Sequence, residues 1–348
     1  MSGHLTSSQL EEGAAPSSAE LSAAITATDF RRHSATVVGY GKMGTQYVNA
    51  LRALGVGRIC VSSRSEGPLA ALQGQAGIET VAGGVERLER RPLPDELAIV
   101  ATPTLSLVSV TERLVALGYR RLLIEKPVSL WSPQIERLAD AVERDGVEAM
   151  CAYNRVAYPS LVEARQRAQE EGGITSCTYT FTEFIQRLNL SRYPEEELAR
   201  WGIANSLHVV SMAHALIGMP STWHGHRSGS LSWHPAGAVF VGSGLSEHGI
   251  PFAYHADWGS TGRWSVELHT SASSYRLCPL EQLFRRTTPT AEWEPVPVSA
   301  FAPEVKVGFV EQVAAMLHIE LRGRLPLVSL RETASLTKFG EEIFGYTG

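Results

Sequence analysis

The chain has 348 residues, of which 44% are hydrophobic and 19% are charged, as is ordinary for a globular protein of about two domains. Its 31 Lys and Arg residues against 36 Asp and Glu residues give a net charge of −5 without a basic run, which argues against a nucleic-acid partner. No apolar stretch reaches the ~18 residues of a membrane span, and the first thirty residues do not have the pattern of a secretory signal, so we expect a cytoplasmic protein without a membrane partner.

The first half of the chain predicts a Rossmann dinucleotide-binding domain over residues 34–152. Residues 1–33 are rich in Ser, Ala and Thr and are predicted to be a flexible N-terminal extension, with a short helix over 19–28. From Ser34 onward, short apolar strands alternate with helices, which indicates a parallel sheet with helical crossovers. The predicted strands are 35–39, 58–63, 79–82, 97–101, 121–124 and 148–152, and the predicted helices are 43–54, 69–72, 105–117 and 133–145.

The second half predicts an α+β domain over residues 153–325, for substrate binding and oligomerisation. Polar and apolar residues alternate over 177–184, 223–228, 238–243, 252–258, 264–270 and 274–278, which indicates an open, mostly antiparallel sheet. Helices are predicted over 159–171, 203–217 and 307–321, and residues 326–348 contain a closing helix over 331–344. Trp223, Trp233, Trp258 and Trp264 are predicted either in the core against this sheet or on a sheet face that a second subunit covers. A face carrying tryptophan is costly to expose, so we expect a homodimer or homotetramer through it.

The first predicted strand runs into a glycine-rich turn, Gly39-Tyr40-Gly41-Lys42-Met43-Gly44, with the G-x-G-x-x-G spacing of dinucleotide-binding folds. Gly39 permits the tight turn, Gly41 leaves room for a pyrophosphate, and Gly44 allows the helix to pack closely on the strand. The free N–H groups at the start of the next helix face the phosphates. Because the motif opens a βαβ unit, we predict that these six residues bind the cofactor rather than form only a structural turn.

The second predicted strand ends in residues that indicate which dinucleotide binds. Folds that bind NAD place Asp or Glu about 20 residues after the glycines, where it bonds the ribose 2′-hydroxyl. This chain has Ser62, Ser63 and Arg64 there, and its first carboxylate is Glu66. Since a hydroxyl and a guanidinium suit a 2′-phosphate, Ser63 and Arg64 predict NADP(H), with NAD(H) as the alternative.

A charged pair follows the predicted strand over 121–124, in the segment Glu125-Lys126-Pro127. Open parallel sheets bind ligands outside the carboxyl ends of their strands, so we expect Glu125 and Lys126 at the cofactor. Pro127 biases the backbone of Lys126 toward an extended conformation. Lys126 is therefore predicted to donate to a substrate oxygen, and the alternative is a solvated loop lysine.

These motifs, in this order, resemble the Gfo/Idh/MocA oxidoreductase family. The fingerprint is followed by Ala101-Thr102-Pro103, then by Glu-Lys-Pro, and then by an antiparallel domain entered through Tyr153-Asn154-Arg155. The resemblance covers about residues 34–348. It implies a dinucleotide-bound oxidoreductase acting on sugars, sugar nucleotides or cyclitols, with Lys126 near the nicotinamide and the substrate. Thr102 and Pro103 are expected at the cofactor, and Tyr153 and Arg155 either line the substrate cleft or pack between the domains.

The predicted helix over 203–217 is apolar on most faces, which indicates burial. Asn205, His208 and Ser211 are spaced three apart, so they form a polar stripe that a substrate pocket would satisfy. The segment resembles a family helix in which an Asp precedes the His by four residues. Matched on His208, that position holds Ala204, and a second common Asp position falls on Ser211. We expect His208 to exchange a proton with a pKa near its usual 6.5, oriented by Asn205 or Ser211, unless it is a core histidine.

Together these features predict an NAD(P)-dependent oxidoreductase that moves a hydride between nicotinamide and a carbinol or ketone carbon of a sugar-like substrate. Lys126 and His208 are the predicted catalytic residues. The histidines and the four cysteines lack metal-ligand spacing, so no metal site is predicted. Two alternatives stay open. An imine-type reductase on the same fold would have a more apolar pocket, and a non-catalytic sensor would bind the dinucleotide without turnover.

Overall fold

The computed structural model describes residues 14–346, and a parallel sheet, sheet A, forms the first part of this range. Its strands are β1 Ser34–Val38, β2 Arg58–Ser63, β3 Ile78–Ala82, β4 Leu97–Val100, β5 Arg121–Ile124 and β6 Glu148–Cys151. They lie in the order β3-β2-β1-β4-β5-β6 and are all parallel. This doubly wound order confirms the predicted Rossmann fold. It reverses between β1 and β4, and ligands bind at such a reversal.

Helices follow the strands of sheet A as predicted, with ends that differ by one or two residues. They are α1 Ser18–Ala27, α2 Lys42–Ala53, α3 Leu107–Leu117 and α4 Ser132–Arg144. The helix expected over 69–72 is instead a 3-10 helix, Gly67–Leu72, which has Pro68 in its first turn. None of the helices in the described residues is both long and apolar enough to cross a membrane.

Helix α1 contradicts the predicted flexible extension for residues 14–33. Ser17 and Glu20 form a capping box at its start. Leu21, Ile25 and Phe30 are buried in the same core as the helices and strands of sheet A. Although the segment is rich in small and polar residues, Leu21 and Ile25 are four apart and so form one apolar face. Residues 1–13 of the predicted extension lie outside the described residues.

The second sheet, sheet B, is mostly antiparallel, as predicted. Its strands are β7 Ser176–Phe181, β8 Pro220–Ser228, β9 Val239–Ser246, β10 Pro251–Asp257, β11 Trp264–His269, β12 Ser274–Leu277, β13 Leu283–Arg286 and β14 Glu294–Val296. The order is β14-β13-β12-β11-β7-β10-β9-β8, and only the β7–β10 pair is parallel among these. Helices α5 Pro159–Glu170, α6 Glu195–Ala199 and α7 Leu207–Ile217 accompany the sheet, and α7 packs on β7 and β11.

The chain then returns to sheet A, which the predicted boundary at residue 325 did not anticipate. Helices α8 Phe309–Leu317 and α9 Ile319–Arg322 precede β15 Val328–Ser329 and α10 Leu330–Phe344. Helix α8 packs on α2 and β5, and β15 pairs antiparallel with β6. Residues 309–329 therefore belong to the body of the Rossmann domain, because Phe309 and Val313 are buried in its core. Helix α10 packs on both α4 and β8, and closes the fold as predicted.

The tryptophans of sheet B lie on its inner, helix-covered face. Trp258 is fully buried and stacks with Trp233, their ring centroids 6.1 Å apart. Trp223 packs edge-on against Phe339 of α10, and Trp264 lies beside His208. The sheet-core alternative for these tryptophans is therefore confirmed, and oligomerisation through the open face stays a prediction without support from them.

Candidate active site

A cavity of about 430 Å³ opens at the carboxyl ends of β1, β4 and β5, where sheet A faces the start of α7. The predicted site residues that line it are Lys42, Met43, Thr102, Pro103, Glu125, Lys126, Arg155, Asn205 and His208. A second cavity, of about 340 Å³, lies between β2 and β3 and contains none of the predicted site residues. The first cavity therefore brings the cofactor motifs of sheet A together with the histidine helix.

The glycine turn fits the pyrophosphate of a dinucleotide. Gly39 has φ +98°, and a Cβ on it would lie 2.5 Å from the Ala101 oxygen. A Cβ on Gly44 would lie 1.9 Å from the Gly39 oxygen, whereas one on Gly41 would meet no atom within 4 Å. Helix α2 starts after Gly41 with no side-chain cap, which leaves its first N–H groups available to an anion. Packing thus requires glycine at positions 39 and 44, whereas Gly41 leaves open space beside the turn. Tyr40 lies in the same turn.

The end of β2 presents a free guanidinium. Ser63 is buried, and its backbone oxygen accepts hydrogen bonds from the N–H groups of Gly83 and Gly84 at 2.9 and 3.0 Å. Arg64 is exposed and makes no hydrogen bond or ion pair within residues 14–346. The loop is therefore fixed by its backbone, while the Arg64 side chain remains available to a ligand.

Lys126 connects sheet A to the segment before α7. Its Nζ donates to the backbone oxygen of Ala204 at 2.8 Å. Glu125 is buried beside it, and accepts a hydrogen bond of 2.6 Å from the Tyr47 hydroxyl. Burial lowers the pKa of Lys126, and Arg155 and Lys306 add to this effect while Glu125 opposes it. Burial raises the pKa of Glu125. The Lys126–Pro127 peptide bond is cis.

The imidazole of His208 is buried at 7% exposure, and its Nδ1 has no hydrogen-bond partner among the described residues. The rings of Tyr153 and Trp264 lie 6.1 and 6.2 Å away, centroid to centroid. Burial, followed by the positive charges of Arg155 and Lys126, places the pKa of His208 well below its usual 6.5. This direction differs from the expected pKa near 6.5, and it favours the neutral imidazole.

The polar stripe predicted on the histidine helix reaches the cavity only in part. Residues Gly202–Ser206 form a π-helical turn, so the spacing of three does not keep one face from Asn205 to Ser211. Ser211 is fully buried, and its hydroxyl donates to the backbone oxygen of His208 at 3.1 Å. Ser211 therefore neither orients the imidazole nor lines the cavity. Tyr153 is fully buried behind His208. Of its two predicted roles, this position agrees with packing rather than with lining the substrate cleft.

A buried carboxylate that we did not predict lies beside this turn. Glu183 accepts hydrogen bonds from Asn205 Nδ2 at 2.8 Å and from Ser206 Oγ at 2.6 Å. Burial raises the pKa of Glu183, and these bonds and Lys126 oppose the rise. The sequence contained a pattern that could have identified Glu183 as buried. Residues 177, 179, 181 and 183 have the same parity, and the first three are the inward residues of β7. A carboxylate at an inward position is unusual and indicates a buried polar partner.

The family of oxidoreductases with an NAD-binding Rossmann fold, Gfo/Idh/MocA, matches residues 34–153. That range contains the glycine turn, Arg64 and the Glu125-Lys126-Pro127 segment. Residues 34–153 therefore match the NAD-binding Rossmann fold of the Gfo/Idh/MocA oxidoreductases. A myo-inositol dehydrogenase of Streptomyces leeuwenhoekii is 30% identical over 131 residues, which are 38% of this chain and 39% of that protein. The match thus spans less than half of the relative's length.

Solved structures share the fold over both sheets. Levoglucosan dehydrogenase in complex with NADH and L-sorbose has a TM-score of 0.68 at 16% identity, covering 89% of this chain and 95% of its own. An oxidoreductase from Agrobacterium radiobacter in complex with NAD+, L-tartaric acid and magnesium has a TM-score of 0.69 at 15% identity, covering 91% and 96%. Across residues 14–346 of this chain, no group of three or more His, Cys, Asp or Glu side chains could hold a metal ion.

Several residues that line the cavity were not singled out by sequence reasoning. Tyr193, Glu197 and Trp201 come from the segment between β7 and α7, and Lys306 comes from the segment before α8. The segment over 184–201 has no clear periodicity, so nothing in it predicted a cavity wall. Lys306 lies about 180 residues from Lys126 in the sequence, and only the return of the chain to sheet A brings it to the site.

Proposed function

We propose that this protein is an NADP(H)-dependent oxidoreductase acting on a carbinol or ketone carbon of a sugar, sugar nucleotide or cyclitol. The observation that carries the proposal is the placement of Lys126 and His208 on one cavity, next to the glycine turn of a Gfo/Idh/MocA Rossmann domain. When bound, the dinucleotide would accept or supply the hydride at C4 of its nicotinamide. The related myo-inositol dehydrogenase supports a polyhydroxylated substrate.

The residues that would hold the dinucleotide fall into two groups. The backbone from Gly39 to Gly44 and the start of α2 would bind the pyrophosphate, with Lys42 beside it. Thr102, Pro103 and Glu125 would lie toward the nicotinamide, because they line the same cavity as Lys126. Ser63 and Arg64 would bind a 2′-phosphate, since the Arg64 guanidinium is free and β2 ends without a carboxylate.

His208 and Lys126 have complementary tasks at the reacting oxygen. A neutral, buried imidazole can accept the proton of a substrate hydroxyl during oxidation and return it during reduction. The Lys126 ammonium, held by the Ala204 oxygen, can stabilise the negative charge that develops on that oxygen. His208 is buried and Lys126 is half-buried, so both groups have less water around them than surface groups have, which strengthens their electrostatic effect.

The composition of the cavity favours a hydroxylated substrate over a hydrophobic imine. Lys126, Arg155, Lys306 and Glu197 contribute charged groups to its wall, and Asn205 contributes an amide. An apolar imine would leave these groups without partners, at a cost in binding free energy. A sensor without catalysis does not require a neutral imidazole and an ammonium on the same cavity.

The deciding experiment is a turnover screen on the purified full chain. Inositols, free hexoses and nucleotide sugars are supplied with NADP+ or NAD+, and the matching ketones with the reduced cofactors, while cofactor absorbance is followed. We expect turnover of at least one polyol class. Reduction of cyclic imines alone would favour the imine reductase, and tight NADPH binding without turnover of any compound would favour the sensor.

A further inference from the structure

Arg155 lies in the wall of the cavity without a polar partner. Its guanidinium makes no hydrogen bond or ion pair to any residue in the described range 14–346, and its Nε is inaccessible to solvent. The group lies over the Trp264 ring, 4.7 Å from the centroid. A ring face offsets only part of the loss of water around a guanidinium, because its N–H donors still need acceptors. The donors of Arg155 therefore remain available to a ligand in the cavity.

The neighbouring carboxylates are already engaged. Glu183 and Glu281 are the carboxylates whose charges act on Arg155. Glu183 accepts from Asn205 and Ser206, and Glu281 accepts from the Tyr158 hydroxyl at 3.5 Å. Neither reaches the guanidinium, so the positive charge of Arg155 is balanced only at a distance.

Lysines concentrate at the same cavity. The sequence has four lysines, and Lys42, Lys126 and Lys306 all line it, while Lys338 lies on the exposed side of α10. Among the described residues, Lys306 has no ion pair, and its Nζ lies over the Phe309 ring at 4.9 Å. Three of the four lysines in a chain of 31 Lys and Arg residues thus concentrate compact positive charge at one cavity.

Assigning the charges leaves two cations with no carboxylate within ion-pair distance among the described residues, although Glu197 also lines the cavity. The pyrophosphate of a dinucleotide would be matched by Lys42 and the start of α2, and Lys126 lies near the carboxylates Glu125 and Glu183. Arg155 and Lys306 remain. We infer that the substrate carries a carboxylate, which Arg155 binds with Lys306 beside it, so that the substrate is a sugar acid or another polyhydroxy acid. This inference rests on the proposed function and narrows its substrate class.

A carboxylate matches the donors of this site, and a phosphate, which a guanidinium can also bind through two hydrogen bonds, is distinguished by the test below. The planar guanidinium can donate two parallel hydrogen bonds to the two oxygens of a carboxylate, and stacking on Trp264 holds the guanidinium plane in place. A bound anion would also offset the positive charges that hold His208 neutral. The same group that anchors the substrate would thus make the imidazole a stronger base.

The test compares matched pairs of probes that differ by one carboxylate: D-glucuronate with D-glucose, D-galacturonate with D-galactose, and L-tartrate with L-threitol. Binding to the full chain, saturated with NADPH, is measured by calorimetry, with glucose 6-phosphate as a separate arm. We expect at least one acid to bind about 10- to 100-fold tighter than its neutral partner, as for hydrogen bonds to a charged group. In Arg155→Gln this preference should disappear, while the neutral partner and NADPH bind as before.

Arg276 provides the matched control, because its guanidinium also stacks on a tryptophan, Trp293 at 4.3 Å, but lies on sheet B outside the cavity. Arg276→Gln should keep the full preference for the acid. If Arg155→Gln does not fold, Arg155→Lys is measured, and we expect it to retain less than a tenth of the acid affinity.

The outcomes separate this inference from the proposed function. Equal binding of the two members of every pair, including no detectable binding of either, would overturn the inference. So would selective binding of glucose 6-phosphate, or an acid preference that survives Arg155→Gln. Turnover of neutral sugars with equal binding of every pair would support the proposed function and overturn the carboxylate inference. Acid binding that depends on Arg155, without turnover, would support the carboxylate site and count against the proposed function.

Discussion

The Nζ of Lys126 donates to the backbone oxygen of Ala204 at 2.8 Å, and this bond joins the end of β5 to the π-helical turn before α7. His208 follows four residues later on the same segment. The separation of the two proposed catalytic groups is therefore set by one turn of backbone. Ala204 is also the position where the family resemblance places a carboxylate, so in this chain the backbone offers the acceptor that the side chain lacks.

Lys126→Met keeps much of the side-chain stem and removes the charge. We expect normal folding, nearly unchanged NADPH affinity and hydride transfer slowed by about 10²-fold or more, comparable to the loss of one oxyanion donor. Lys126→Arg should not restore the rate fully, because a planar fork does not replace a compact ammonium. Stopped-flow measurement at saturating cofactor gives the rate, and Lys338→Met on the exposed side of α10 is the control. A wild-type rate in Lys126→Met would make Lys126 a structural residue.

His208→Asn should lower turnover by about 10²–10⁴-fold while NADPH still binds, because the proposed role is proton exchange. Since the pKa of the free enzyme's His208 lies well below 6.5, the imidazole stays unprotonated as the pH falls through 6.5. The value of kcat/KM for oxidation should therefore show no loss attributable to His208 until well below pH 6.5. A decline centred at 6.5 that is absent from His208→Asn would contradict the burial argument.

Arg64→Ala tests the 2′-phosphate. We expect a loss of about 1.5–3 kcal/mol in NADPH binding, the range for hydrogen bonds to a charged group, and almost none in NADH binding. Arg58→Ala, at the opposite end of β2, removes an exposed arginine from the same strand and should change neither. Fluorescence titration of both cofactors measures the effect, and equal losses for NADPH and NADH would exclude the proposed contact.

Glu183→Gln removes the charge that Asn205 and Ser206 surround. The amide keeps one acceptor oxygen where the carboxylate has two, and the negative charge is lost, so we expect weaker bonds to Asn205 and Ser206 and about 1–3 kcal/mol lower unfolding free energy. Because the π-helical turn also positions the Ala204 oxygen, turnover should fall about tenfold or more while NADPH affinity holds. Glu311→Gln changes a buried carboxylate on α8 outside the cavity and should alter stability alone. Denaturant unfolding and turnover of both variants are compared, and equal turnover would make Glu183 purely structural.

His214 predicts how stability depends on pH. It is fully enclosed by aromatic rings, its ring nitrogens bond the Tyr179 hydroxyl and the Gly218 oxygen, and burial lowers its pKa to about 4. The unfolded chain binds the proton first as the pH falls, so this contribution to stability is complete above pH 6.5 and is lost between 6.5 and about 4. The difference corresponds to about 3 kcal/mol. Unfolding free energies measured across this range should show a smaller slope for His214→Gln than for the wild type or His255→Gln, an exposed substitution.

The sequence predicted the elements with strong periodicity well. Strands β2 and β5 have the expected bounds, because a turn and a glycine or charged residue delimit each apolar run. The glycine turn was also predicted in detail, since local backbone requirements determine it. By contrast, Leu21 and Ile25 were assigned to a flexible extension, because the many Ser, Ala and Thr residues around them obscured the short apolar face of α1.

The second half of the site depends on long-range packing, which local patterns do not encode. Glu183 could have been identified from its inward parity, whereas Lys306 could not, because its position depends on where α8 packs. Ser211 was misplaced because it lies almost one turn beyond His208 in α7, where its hydroxyl bonds the helix backbone and no longer reaches the cavity. A regular helix was also the natural expectation before His208, where tertiary contacts to Glu183 favour the π-helical turn over 202–206.

The return of α8 and β15 to sheet A means that the cofactor-binding unit is discontinuous along the gene. The segment that the family matches ends at residue 153, yet Tyr47 of α2 packs against Phe309 with ring centroids 4.8 Å apart. A fragment cut at residue 153 would leave that apolar surface in water and would be prone to aggregate. Exchange of cofactor-binding domains between relatives, by recombination or by design, would therefore have to carry residues 34–153 together with residues 309–329.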